Sequence, residues 1–159
     1  MPERLSPAAR RALMRRIRSK DTKPEMAVRR LLHGLGYRYV LHNGRLPGRP
    51  DVVFPSRRKV VFVHGCFWHG HSCGRGFRPA TNSAYWANKI DNNKARDRRQ
   101  IRALVKLGWR TMTVWECAVR PSRISQLQRR LEAFLESEAG RVCYRPVRLR
   151  PFIVCPHRA

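Results

Sequence analysis

Acidic residues are scarce in this chain: ten Asp and Glu stand against 35 Lys and Arg, a formal charge of +25 over 159 residues. That excess goes far beyond what solubility requires, and nucleic acid is the partner that explains it best. Arginine supplies 29 of the 35 cations, which suits bidentate contacts to phosphates and guanine edges. No apolar run is long enough to span a bilayer and no apolar h-region opens the chain. Neither membrane insertion nor export is expected, and the expected setting is the cytoplasm, on the nucleoid. Cysteine is also sparse. Five is an odd number, and Cys66 and Cys73 lie beside histidines, which points to metal ligation rather than a disulfide framework.

The length fits one domain with a single core, expected over residues 21–139 between a basic arm (1–20) and an Arg- and Pro-rich tail (140–159). In the arm, Leu5, Leu13 and Ile17 give a thin helical stripe behind Ser6-Pro7. Thr22-Lys-Pro-Glu25 opens a stronger helix with Met26, Val28, Leu31, Leu32 and Leu35 on its apolar face, closed by Gly34 and Gly36. Residues 37–41 read as a strand. After the polar turn HNGRLPGRP, residues 51–54 and 59–63 read as a hairpin, and facing Phe54 with Lys59 puts Asp51 opposite Phe62, close to His64. A long basic helix is expected over roughly residues 84–107, a strand over 109–115, and a last helix over 122–138. Strand, helix, strand argues a right-handed crossover with 59–63 parallel to 109–115, so Cys117 should emerge near Cys66.

The stretch VHGCFWHGHSC (63–73) concentrates three histidines and two cysteines. Zinc in a structural role takes four thiolate or imidazole ligands, and Cys66, His71, Cys73 and Cys117 supply them. His64 and His69 are then left for catalysis, or one of them is an extra ligand. A metal-dependent phosphodiesterase needs an anionic oxygen for magnesium and a group to deprotonate water. Asp51 suits the first, unless it merely ends a turn, and histidine suits the second. Glu25 belongs to a capping box that needs no catalysis to explain it, and the pattern leaves a functional role equally open. Phe67 and Trp68 either pack beneath the loop or serve as exposed wedges that unstack a base step, and Trp86 suits either purpose.

Together, LPGRPDVVF (46–54), VHGCFWHGHSC (63–73), PATNSAYWANKIDNNKARDRR (79–99) and LGWRTMTVWECAVR (107–120) resemble the very-short-patch repair (Vsr) endonucleases, across most of residues 20–120. The resemblance implies an α/β, restriction-endonuclease-like mixed sheet flanked by helices, with a structural zinc. It also implies a bacterial enzyme, a monomer, that nicks one strand 5′ of the thymine in T·G mismatches, with other mismatch-repair proteins as further partners. Asp51 and the main-chain carbonyl of Val63 would hold magnesium, His69 would act on the water with Glu25 assisting, and His64 would lie beside the scissile phosphate. The zinc ligands would be the same four residues. Phe67, Trp68 and Trp86 would wedge beside the mismatch, Met14 would enter the minor groove, and Lys89 and Asn93 would face the mismatched pair. Val63 departs from the family's usual threonine. The second acid and the lysine usual in restriction-type nucleases are missing after the hairpin, replaced by Val63 and His64. The competing readings are a non-catalytic zinc-containing DNA-binding module and a basic RNA-binding structural protein.

Overall fold

The computed structural model describes residues 9, 20–77, 79–80 and 82–137. The arm's expected helix with Met14, and the tail with Cys143 and Cys155, fall outside them.

Helix α1 (Lys23–Gly34) begins where the Thr22 side chain accepts the Glu25 amide at 3.4 Å, while its hydroxyl donates to the Glu25 carboxylate at 2.8 Å. The Glu25 carboxylate also accepts the Asp21 amide at 3.0 Å, so this Thr-x-x-Glu pair caps the helix through Asp21 rather than through the Thr22 amide of a regular capping box. The helix stops at Leu35, and Gly36, at φ 84°, takes the left-handed turn that leads the chain away. Strand β1 is shorter than expected, Val40–Leu41 alone. Tyr37 and Tyr39 instead set their rings edge-on to Phe54 at 6.2 and 6.0 Å, so packing rather than pairing holds this segment.

Strands β2 (Val52–Phe54) and β3 (Lys59–His64) pair antiparallel with Phe54 opposite Lys59 and Val52 opposite Val61, as the hairpin register requires. Helix α2 (Ser83–Lys106) then returns the chain to β4 (Arg110–Trp115), which runs parallel to β3 with Trp115 beside His64. The sheet order is β1-β2-β3-β4. Helix α3 (Ile124–Glu136) follows two 3-10 turns, and the second of these, Pro121–Arg123, occupies the start expected for the helix.

Alternation along the strands divides the core between two faces. Val52, Phe54, Val61, Met112 and Val114 face α1 and α3, where they meet Val28, Leu32, Leu127, Leu131 and Leu135. Val53, Val60 and Phe62 face Leu104 of α2. The result is a mixed four-stranded sheet with helices on both sides.

Lys59, only 3% exposed, donates to the main-chain oxygens of Leu135 (2.8 Å) and Ser137 (2.6 Å), and Arg57 adds a third bond at 3.0 Å to Leu135. These cations satisfy carbonyls at the end of α3, where the helix dipole favours positive charge. Lys59→Met keeps the stem and removes the donors; we expect a loss of about 1–3 kcal/mol in urea unfolding. An unchanged midpoint would contradict this role. Among the described residues, no helix is long and apolar enough to cross a membrane.

Candidate active site and metal centre

Because β3 and β4 are parallel, the loops leaving them start side by side, and Cys66 and Cys117 emerge together. The ligand atoms of Cys66, His71, Cys73 and Cys117 all lie within 4.8 Å of one another, with Cys117 Sγ 3.5 Å from His71 Nδ1. The loop that brings them together is closed by bonds from the His71 amide to the Cys66 carbonyl and from the Gly76 amide to the Cys73 carbonyl. No side chain fits at Gly76, since a Cβ would lie 1.8 Å from the His71 carbonyl oxygen. The His71 ring stacks on Trp115 at 4.3 Å, and Glu116 accepts the Cys66 amide at 3.3 Å while pairing with Arg75 at 3.0 Å. Burial pushes the Cys66 thiol up to about 12, so its thiolate needs a cation beside it. Three sulfurs and one imidazole nitrogen at this separation fit a four-coordinate soft metal ion.

Beside this cluster lies an open cleft of about 450 Å³ lined by Glu25, Asp51, His64, His69 and Asp97, among others. Asp51 Oδ2 accepts the Val63 amide at 2.7 Å. Burial nonetheless raises its carboxyl to about 6, with Glu25's charge adding to the effect against the charges of His42 and Arg29. Val63 lines the cleft too, and its side chain packs against the core.

His64 and His69 stack with ring centres 3.8 Å apart and planes 9° from parallel. Burial, then the charge of His69, lowers His64 to about 3, so it stays neutral. Its unfolded counterpart protonates near ~6.5, so this group's contribution to stability is lost as pH falls below that value. His69 Nδ1 lies 2.5 Å from Asp97 Oδ2. Burial alone would raise Asp97, but the hydrogen bond to His69 together with the charges of His69, His64 and Arg96 outweighs it and holds the carboxylate below its ordinary range. With Nδ1 engaged by a carboxylate, Nε2 is the nitrogen available to accept a proton, an arrangement that fixes tautomer and ring orientation together.

Sequence reasoning missed Asp97. Glu25 lines the same cleft, but its carboxylate is taken by Thr22, the Asp21 amide and the Arg29 guanidinium at 3.2 Å. The carboxylate on His69 is Asp97. Asn93, four residues earlier on the same helical face, donates to the Trp68 carbonyl at 2.9 Å. Two polar side chains of α2 thus grip neighbouring points of the histidine loop. Gly70, at φ 58°, lets the loop close onto the helix, where a Cβ would fall 2.6 Å from Ile90.

Phe67, Trp68 and Trp86 form a half-buried aromatic cluster with ring centres 5.0 to 6.1 Å apart, outside the two sheet cores. Lys89 is exposed, whereas Asn93 is half-buried and already bonded to Trp68.

A buried carboxylate, an imidazole backed by a second carboxylate, and an adjoining cysteine-histidine cluster together suit metal-assisted hydrolysis of a phosphodiester. Comparison with known proteins points to DNA-cleaving enzymes. Residues 3–75 match the family model of the DNA mismatch endonuclease Vsr. The chain is 54% identical to the Type II nicking enzyme V.XorIIP of Xanthomonas oryzae, over 86% of this chain and 98% of that one. It is 47% identical to the DNA mismatch endonuclease Vsr of Escherichia coli, over 71% and 72% of the two chains. This protein belongs to the Vsr family of DNA endonucleases. In such an enzyme, Asp97→Asn should lower the nicking rate at least about 100-fold without loss of fold, because the imidazole loses its oriented tautomer. A variant within a few-fold of the parent in single-turnover nicking would remove Asp97 from the mechanism.

Proposed function

We propose that this endonuclease nicks one strand 5′ of the thymine in a T·G mismatch by magnesium-dependent hydrolysis. The observation that carries this reading is the His69–Asp97 pair lining one cleft with Asp51. Asp51 and the Val63 main-chain carbonyl would hold magnesium, which when bound offsets the charge developing on the phosphate oxygens. His69 takes the proton of the attacking water on Nε2 while Asp97 keeps Nδ1 protonated and the ring aimed. Neutral His64, stacked on His69, lies beside the scissile phosphate and limits the ring's swing. Glu25, held by Arg29, adds negative charge at the edge of the metal position, so it acts on Asp51 rather than on His69.

Zinc in the four-ligand cluster would have a structural role, holding the loop that carries both histidines. Phe67, Trp68 and Trp86 would wedge beside the mismatched step, with Lys89 and Asn93 turned towards the pair and Met14 of the arm in the minor groove. The restriction-endonuclease-like reading of the sheet belongs to the same proposal, as does action as a monomer. The mismatch itself is supported by the name of the Escherichia coli relative. A non-catalytic DNA-binding module gives no reason for an oriented imidazole in the cleft.

The test is nicking of a T·G heteroduplex against its matched duplex, with and without magnesium. Selective cutting that requires the ion is expected. Equal cutting of both duplexes, or cutting unchanged by magnesium, would refute the proposal.

A further inference from the structure

The cleft has a second kind of lining. Its acids sit inside, while Lys20, Arg49, Arg96 and Gln100 stand around them. Arg49 sits in the left-handed region at φ 47°, where residues with a Cβ are disfavoured and glycine is at ease. Its turn is closed by the Arg49 amide on the Leu46 carbonyl at 3.1 Å and is pressed against α2: at Gly48 a Cβ would meet Gln100 Oε1 at 2.8 Å. Gln100 lies one helical turn beyond Arg96, and Arg49 is two residues from Asp51. The turn therefore places Arg49 in the lining of the cleft that also holds Asp51.

Arg29, Arg57, Arg58 and Arg75 each donate to a carboxylate or a carbonyl within the protein. Arg49 is exposed and has no such partner among the described residues, and Arg96, half-exposed, reaches only Asp97 at 3.5 Å. A strained backbone kept at a functional cleft, carrying an unspent charge, points to the side chain's use. Phosphate is the group that needs it, because the inner carboxylates repel a DNA strand that must come close to them.

We propose that Arg49, with Arg96 and Gln100 beside it, forms a subsite for a DNA phosphate next to the one that is cut. This rests on the cleft being where the strand is cleaved. A guanidinium here also gives bidentate contact to phosphate oxygens, which an ammonium does not.

Arg49→Gly separates the side chain from the fold, since glycine suits the backbone better than arginine does. Its melting temperature should equal or exceed the parent's. Its kcat/KM for nicking should fall about 10- to 100-fold, the size of one lost charge-assisted hydrogen bond. The slope of log affinity against log salt, measured on a matched duplex, should flatten by about 0.9, the share of one phosphate contact. Arg49→Lys should restore that slope and part of the rate. Parental nicking with an unchanged slope would overturn the proposal, and so would equal loss of rate and of melting temperature in both variants, which would make Arg49 a turn residue only. A parent that does not prefer T·G would remove the mismatch reading but not this one, because the salt slope is read on matched DNA.

Discussion

Asp51→Asn should reduce nicking by a factor of about a thousand or more, the equivalent of roughly 4 kcal/mol of lost charge stabilisation at the phosphate. Asparagine is close in shape and its oxygen can still accept the Val63 amide, so the hairpin end is preserved. Duplex affinity should be equal to the parent's or tighter, since one negative charge has left a DNA-facing cleft. A variant that nicks within tenfold of the parent would remove Asp51 from the metal position.

The same substitution has a signature in stability. Without magnesium, the folded carboxyl titrates at about 6 against an ordinary 3.8 because it is buried. The folded state therefore holds this proton more tightly than the unfolded state does. The group's contribution to stability is complete below about pH 4 and is lost as pH rises through 6. In magnesium-free buffer the variant should be the more stable protein at pH 7, by at most about 3 kcal/mol, and the advantage should vanish near pH 4. Taking the difference between parent and variant cancels the opposite slope contributed by His64. A variant with no advantage at pH 7 would show that burial of Asp51 costs the fold nothing.

Cys117→Ser is the second large effect. The ligand from β4's end is the one that ties the loop after β3 to the neighbouring strand, and the other three come from residues 66–73. Removing it should abolish binding of the metal, proposed to be zinc, in metal analysis. It should also lower the melting temperature by about 10 °C, if about 3 kcal/mol of metal-linked stability is lost in a domain of this size. Nicking should disappear as well, since His69 lies between two ligands of the same loop. A variant that keeps its zinc and melts within a few degrees of the parent would show that Cys117 is not a ligand.

The features legible in the sequence were those set by local periodicity and chain direction. The hairpin register follows from two short β-branched runs separated by Pro-Ser-Arg-Arg, and the parallel pairing of β3 with β4 follows from the helix between them. The grouping of Cys66 with Cys117 rests on that pairing alone. The partner of His69 could not be read in this way. Whether Glu25 or Asp97 reaches the imidazole depends on how α1 and α2 are rotated about their axes, which is fixed by packing on opposite faces of the sheet. Arg29 decides the matter for Glu25 by binding it from one turn away. Strand β1 was overextended because Tyr37 and Tyr39 suit a strand by type, yet here they spend their rings on Phe54.

Of the ten acids in the chain, three line the cleft. Elsewhere the protein presents a strongly positive field, which turns away small divalent cations as effectively as it gathers DNA. Free ions in solution thus meet a barrier on the way to a pocket that would otherwise attract them. A duplex carries its own condensed cation atmosphere and neutralises that barrier as it docks. The cation's easiest route in is as a passenger on the nucleic acid, and the apparent magnesium requirement should be lower with DNA bound than for the protein alone.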